Sequence, residues 1–284
     1  MKIGVSSYSF SNYIKETRCS YFDICDIAKK IGFDGIEFIG LDFPQWNLTD
    51  DVIKTAKEIK SYCESIELDV LAYTVSADFV ANGADEVEKI CRCVDVAKEL
   101  GAPILRHDVC RKLKQDDPLY SYKDAIAETA PYVRAVADYA QGFGIKTCTE
   151  NHGYIFQAPE RVEELILEVN HPNFGWLCDI GNFLCADEPP IKGTTIAAKY
   201  AIHCHAKDML FVSSDNEKPE GFFETLSKNY LKGTVLGHGI VPVENCIKIL
   251  KDAGYNGCFS LEFEGTEDNI SAIQEGFAFL KKII

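Results

Sequence analysis

Three features are missing from the 284-residue chain, and each absence narrows what it can be. No apolar run approaches the ~20 residues needed to cross a bilayer, so no membrane partner is expected. No CxxC pair with zinc-site spacing occurs, although the chain has twelve cysteines. No glycine-rich phosphate loop follows the first β-rich run, where SSYSFSNY stands, which argues against an open dinucleotide-binding sheet. Basic residues are in deficit as well: 29 Lys and Arg face 44 Asp and Glu, a net charge of −15. Such a field repels phosphodiester backbones and favours cations, so nucleic acid is excluded as an expected partner. MKIGVSSYSF reads directly as a strand rather than as a charged and then apolar leader, and a cytoplasmic location is expected.

In that compartment the cysteines read as reduced, small, buried residues. Strand parity agrees for two of them. Cys178 and Cys204 immediately precede the polar residues Asp179 and His205 and so face the opposite side, whereas Cys148 shares the phase of Glu150. With 46% hydrophobic and 26% charged residues, and no visible linker, residues 1–284 are expected to form one folded domain.

Short β-rich runs alternate with helical patterns along the whole chain. Strands are expected near 2–8, 34–39, 67–74, 102–108, 143–150, 174–180, 200–206 and 257–263. Between them, YFDICDIAKKIG, DDVIKTAKEIKSYCES, DEVEKICRCVDVAKELG and YVRAVADYAQGFG place apolar residues at three- and four-residue steps. Several helices close on a glycine just before the next strand: Gly32, Gly101, Gly142 or Gly144, and Gly254. This recurring helix-stop-strand grammar, with eight expected strands, points to an α/β fold, a single (β/α)8 TIM barrel. The segment 207–241 is long for one connection and reads either as a flap over the barrel mouth or as a surface excursion.

Four of the expected strands end in side chains of metal-ligand type: Glu150, Asp179, His205 and Glu262. Their separations of 29, 26 and 57 residues fit one β-α unit, a second, and a third carrying an insertion. C-terminal strand ends of a barrel converge on one mouth, so the four are expected at one divalent ion. Three carboxylates and one imidazole make a hard, oxygen-rich donor set. Mn²⁺ is the first expectation for this ion, with Mg²⁺, Co²⁺ and Zn²⁺ as alternatives.

The strings TENHG, CDIGN, HCHAKD and GHGIVPVENCIKILKDAGYNGCFSLEFEG resemble the xylose-isomerase-like TIM barrels. That superfamily holds sugar isomerases and epimerases, inosose-type dehydratases and the endonuclease IV group. The resemblance runs over nearly the whole chain and implies that Glu150, Asp179, His205 and Glu262 are metal ligands. In its ketose 3-epimerase branch the two glutamates also form the catalytic acid–base pair on opposite faces of the substrate. The implied activity is sugar or sugar-phosphate isomerisation or epimerisation by proton transfer next to a carbonyl, through an enediolate. Metal-dependent elimination (inosose-type dehydration or C-glycoside cleavage, with a cyclitol among the substrates) is the alternative, and a non-catalytic carbohydrate-binding barrel a third. Two positions depart from the epimerase pattern: Asn182 and Phe211 stand where those enzymes have His and Arg. The third-strand run DVLAYTVSADF lacks the histidines of a three-zinc endonuclease cluster.

Other polar residues are candidate substrate contacts. His107 ends strand 4 and reads as substrate-facing or as a structural partner of Asp108. His152 shares the parity of Glu150 and reads as a substrate contact or a loop cap. Asn182 is placed to bind a hydroxyl, and Lys207 an oxyanion or phosphate. Asp208 is a candidate to orient Lys207 or His205. Tyr8 and Trp46, ending the first two β-α units, are candidates to stack on a sugar or to pack in the core. His203 lies two residues deeper than His205, and Glu37 reads as a buried structural acid. Homo-oligomerisation stays open.

Overall fold

The computed structural model describes residues 1–41 and 52–284. Eight parallel strands close into a barrel in the order β1 (Lys2–Ser6), β11 (Cys258–Leu261), β7 (Ala201–Ala206), β6 (Phe174–Asp179), β5 (Lys146–Glu150), β4 (Ile104–His107), β3 (Asp69–Val75) and β2 (Gly35–Ile39). The expected TIM barrel is therefore the observed fold. Among the described residues the helices are α1 (Ser11–Thr17), α2 (Tyr21–Ile31), α3 (Val52–Ser65), α4 (Phe79–Leu100), α5 (Tyr122–Gln141), α6 (Pro159–Val169), α7 (Pro190–Ala197), α8 (Val243–Asp252) and α9 (Asn269–Ile283). None of them is long and apolar enough to cross a membrane.

Local chemistry explains the element boundaries. Ser20 and Ser121 each accept from the third helical N–H, while Asp23 and Asp124 reach back to the cap, so α2 and α5 start on reciprocal capping boxes. At the end of α5 the left-handed residue is Gly144, at φ 72°, whereas Gly142 stays right-handed. The core lies between the barrel and its helices and includes Trp176, Phe38, Phe79 and Phe259. Cys178 and Cys204 are fully buried, and all twelve cysteines are free thiols.

The long segment after β7 forms a three-stranded antiparallel sheet from β8 (Asp208–Val212), β9 (Phe223–Glu224) and β10 (Tyr230–Thr234). Met209, Leu231 and Cys185 give it a small core of its own. Met209 and Phe223 border the cavity at the mouth, so the segment serves as a wall of that cavity. Asp208 anchors the turn after β10 by accepting from the N–H groups of Gly237, Gly239 and Val241 at 2.9–3.0 Å. A Cβ on Gly239 would lie 2.2 Å from the Asp208 carboxylate, which excludes larger residues there. Asp208 thus holds the glycine turn rather than Lys207 or His205.

Candidate metal centre at the barrel mouth

Parallel register brings the polar strand ends level. Asp179 pairs in register with His205, Ser260 of β11 pairs with His205, and the Glu262 N–H bonds to the Ala206 carbonyl at 3.0 Å. One donor atom from each of Glu150, Asp179, His205 and Glu262 lies within 4.8 Å of the others, and all four residues are buried. Glu150, His205 and Glu262 border a cavity of about 810 Å³ together with Tyr8, Arg106, His152, Asn182 and Lys207.

Two atoms in this cluster identify its centre. His205 Nδ1 and Asp179 Oδ2 are buried and make no hydrogen bond, although the Lys207 ammonium lies 3.4 Å from Asp179 Oδ2. Nδ1 faces Glu150 Oε1 at 3.5 Å, Asp179 Oδ2 at 3.7 Å and Glu262 Oε2 at 3.5 Å, too long for hydrogen bonds and aimed at one common point. Buried polar atoms are seldom left unmade, and a cation at that point would satisfy both. Charge agrees. The buried carboxylates Glu37, Glu150, Asp179 and Glu262 outnumber the two fixed cations among them, Arg106 and Lys207, and those cations are shared with Asp108 and Glu264. Imidazole and carboxylate donors suit such an ion, so the residues fit a divalent metal.

Each ligand is held by a defined neighbour. Asp179 Oδ1 accepts from the N–H groups of Gly181 and Asn182 at 2.8 and 2.9 Å, which fixes the carboxylate with Oδ2 turned to the centre. Asn151 ties β5 to β6: its amide donates to the Asp179 carbonyl and accepts from the Asp179 N–H. Burial alone would raise the Glu150 carboxyl, but the Arg106 guanidinium at 2.7 Å overrides it and holds the group below the usual range. Burial would likewise raise Glu262, but the Lys207 ammonium at 2.6 Å holds it well below. Asp179, by contrast, is raised, burial being the leading cause. Desolvation opposes charge on His205, yet Glu37 and the ligand carboxylates push its imidazole well above the ordinary value.

The remaining candidates fall into three groups. Asn182 and Lys207 are at the centre, where they act on the ligands. The Asn182 amide donates to Glu150 Oε1 at 2.9 Å and accepts from Lys207 at 3.2 Å, while Lys207 also reaches Glu264 at 3.2 Å. Tyr8 and His152 border the cavity. The Tyr8 hydroxyl donates to Glu264 at 3.0 Å, and His152 is half-exposed with Nδ1 3.1 Å from the Asp108 carboxylate. His107 is not at the mouth, which corrects the substrate-facing expectation. Its ring faces the helical layer between Phe79 and Phe174, with Nδ1–H donating to the Asp108 backbone carbonyl. Burial pushes it down to about 4, so it is a neutral core residue. Trp46 lies outside the described residues.

Two further residues stand at the centre: Arg106, which carries no role in the sequence reading, and Glu37, which reads there as a buried structural acid. Arg106, inward where His107 is outward, bridges Glu150 and Asp108 at 2.7 and 2.9 Å. Glu37 spans the interior from β2 to β7 and receives His203 Nε2 at 2.5 Å and His205 Nε2 at 2.8 Å. Strand alternation carries the signal for Arg106, because it shares the parity of Asp108 and is paired in register with the inward Cys148.

This geometry defines a (β/α)8 barrel with a carboxylate–imidazole centre at the C-terminal ends of its strands, where barrels of this architecture place active sites. Residues 25–283 match the model of the xylose isomerase-like TIM barrel family, and the chain belongs to that family. No curated protein matches it by sequence. Solved structures of similar fold include the IOLI protein with a bound zinc atom, at TM-score 0.75 and 18% identity over 100% of this chain and 98% of that one. The probable 3-DHS dehydratase AsbF of Bacillus anthracis aligns at TM-score 0.73 and 19% identity over 99% of both chains. An L-ribulose 3-epimerase aligns at 0.70 and 16% over 99% of this chain and 93% of the other. At these identities the likeness is one of fold.

Proposed function

We propose that this barrel is a divalent-metal-dependent isomerase or epimerase of a sugar or sugar phosphate, acting by proton transfer beside a carbonyl through an enediolate. The observation that carries the reading is the pair of buried donors that make no hydrogen bond, His205 Nδ1 and Asp179 Oδ2, clustered with Glu150 and Glu262. A bound divalent ion supplies polarisation of a carbonyl and neighbouring hydroxyl; Mn²⁺ is the favoured species, with Mg²⁺, Co²⁺ or Zn²⁺ fitting the same donors.

The chain's own residues supply the proton chemistry. Glu150, kept ionised by Arg106, is the base that removes the proton from carbon. Glu262 serves the opposite face, taking from solvent the proton that it returns to carbon, and Lys207 Nζ at 2.6 Å from its Oε2 orients the carboxyl. Asn182 keeps Glu150 in place. Arg111 and Lys112 border the cavity of this acidic protein, which favours a substrate bearing an anionic group.

A second reading rests on Lys207. A buried ammonium beside the catalytic carboxylates is placed to protonate a departing hydroxyl, which after the same proton removal gives elimination, as in the dehydratase of similar fold. Deuterium uptake from heavy water, measured over a panel of ketoses, ketose phosphates and cyclitols with metal-loaded protein, tests both. Carbon-bound deuterium without loss of water indicates isomerisation or epimerisation, and release of water or aglycone indicates elimination. Binding without either leaves a carbohydrate-binding barrel and contradicts the proposal.

A further inference from the structure

Glu37 is fully buried on β2, opposite the ligand strands, and among the described residues its ion-pair partners are two imidazoles rather than a lysine or arginine. A bare carboxylate in that position is costly unless its hydrogen bonds are complete. They are complete in a particular way: one oxygen receives His205 Nε2 and the other His203 Nε2. An imidazole has two nitrogens, and the hydrogen bond made by one decides which is left to bind a metal. With Nε2–H committed to Glu37, the nitrogen that gives a lone pair once a cation displaces the ring's second proton is Nδ1, the atom that faces Glu150, Asp179 and Glu262 without a hydrogen bond.

We propose that Glu37, braced by His203, is the positioning residue that fixes the tautomer and tilt of His205 and so sets the affinity of the mouth for a divalent ion. This rests on the metal reading above and adds to it a mechanism that no ligand residue supplies. His203 makes the arrangement rigid. The two rings project from the same face of β7 with centroids 5.7 Å apart and planes at 76°, so the carboxylate that joins them cannot turn toward one without leaving the other. Glu37 also places a negative charge on the far side of the ring, which makes Nδ1 a stronger donor. A purely structural cross-link between β2 and β7 would stabilise the barrel without affecting the ion, and that difference is measurable.

The first test needs no variant. In the zinc-loaded protein labelled with ¹⁵N-histidine, His205 is expected to coordinate through Nδ1 and to carry its proton on Nε2; coordination through Nε2 overturns the inference. The second uses Glu37→Gln, which keeps the shape but offers the two rings one acceptor and one donor. Its zinc affinity, read by chelator competition, should fall about 10- to 100-fold. Glu86→Gln, which removes another buried carboxylate far from the ligands in sequence, should leave affinity unchanged. Equal zinc affinity in wild type and a folded Glu37→Gln protein overturns the inference. Failure of the wild type to bind zinc, cobalt or manganese overturns the metal reading itself, and this inference with it.

Discussion

The two halves of the barrel mouth are built on different principles. On β5, β6, β7 and the end of β11, acidic and imidazole side chains converge and leave two donor atoms without hydrogen bonds. On β2 and β4 the polar side chains spend themselves on those ligands: Glu37 on His205, Arg106 on Glu150, and Asp108 on Arg106 and His152. One half offers the donor atoms, and the other holds them in shape. A ligand cluster of four in a buried site would otherwise repel itself apart, so the second half is a condition of the first.

The comparison breaks most visibly if the ligand half can be altered without effect. Glu150→Gln and Glu262→Gln should each lower kcat by about 10²- to 10⁴-fold, the usual range for a positioned acid or base. Full turnover in both variants would remove the proton-transfer role. Arg106→Met probes the supporting half. It leaves the buried Glu150 without its cation, and the unfolding free energy should drop by about 3–5 kcal/mol in chemical denaturation. A loss below about 1 kcal/mol would mean that Arg106 is not needed to hold the carboxylates.

His107 sharpens the boundary between mouth and helical layer. Its imidazole ordinarily titrates at 6.5 and is pushed down to about 4 by burial, so the unfolded chain binds its proton first as pH falls. The stability it contributes is complete above pH 6.5, declines as pH falls below that, and is gone by about pH 4; the total is about 3 kcal/mol. Denaturation across pH 7 to 4 should show this component in wild type and lose it in His107→Leu, with turnover little changed at neutral pH. The smallest effect belongs to His152→Ala. A half-exposed imidazole paired with Asp108 contributes at most about 1 kcal/mol to stability, so thermal unfolding should barely move. A rise in KM without a matching fall in kcat would mark His152 as a substrate contact.

The same contrast explains what the sequence reveals. Barrel strands, helix stops and the four converging strand ends follow from period-two alternation and from glycine at left-handed positions, both of which are local. Gly144, rather than Gly142, ending α5 is a choice between neighbours that only backbone geometry settles. At β4 the run Arg106, His107, Asp108 has no apolar residue to fix its phase, so histidine, the residue with the more familiar chemistry, draws the functional role that belongs to its neighbours. Glu37 shows the other limit. Its parity places it inside the barrel, but its partners His203 and His205 are 166 and 168 residues away, and no local pattern reports that meeting. The antiparallel sheet after β7 has the same character: its length is visible, and its position on the cavity wall depends on Met209 and Phe223 packing at the mouth.

The central claim is that four strand ends share one divalent ion with His205 Nδ1 and Asp179 Oδ2 in its coordination shell. Anomalous diffraction from crystals equilibrated with Mn²⁺ or Co²⁺ tests it most directly. The account predicts one strong peak per chain bounded by Glu150, Asp179, His205 and Glu262, and no such peak in crystals of Asp179→Ala. Full metal occupancy elsewhere, or a wild-type centre that stays empty at millimolar metal, would contradict it.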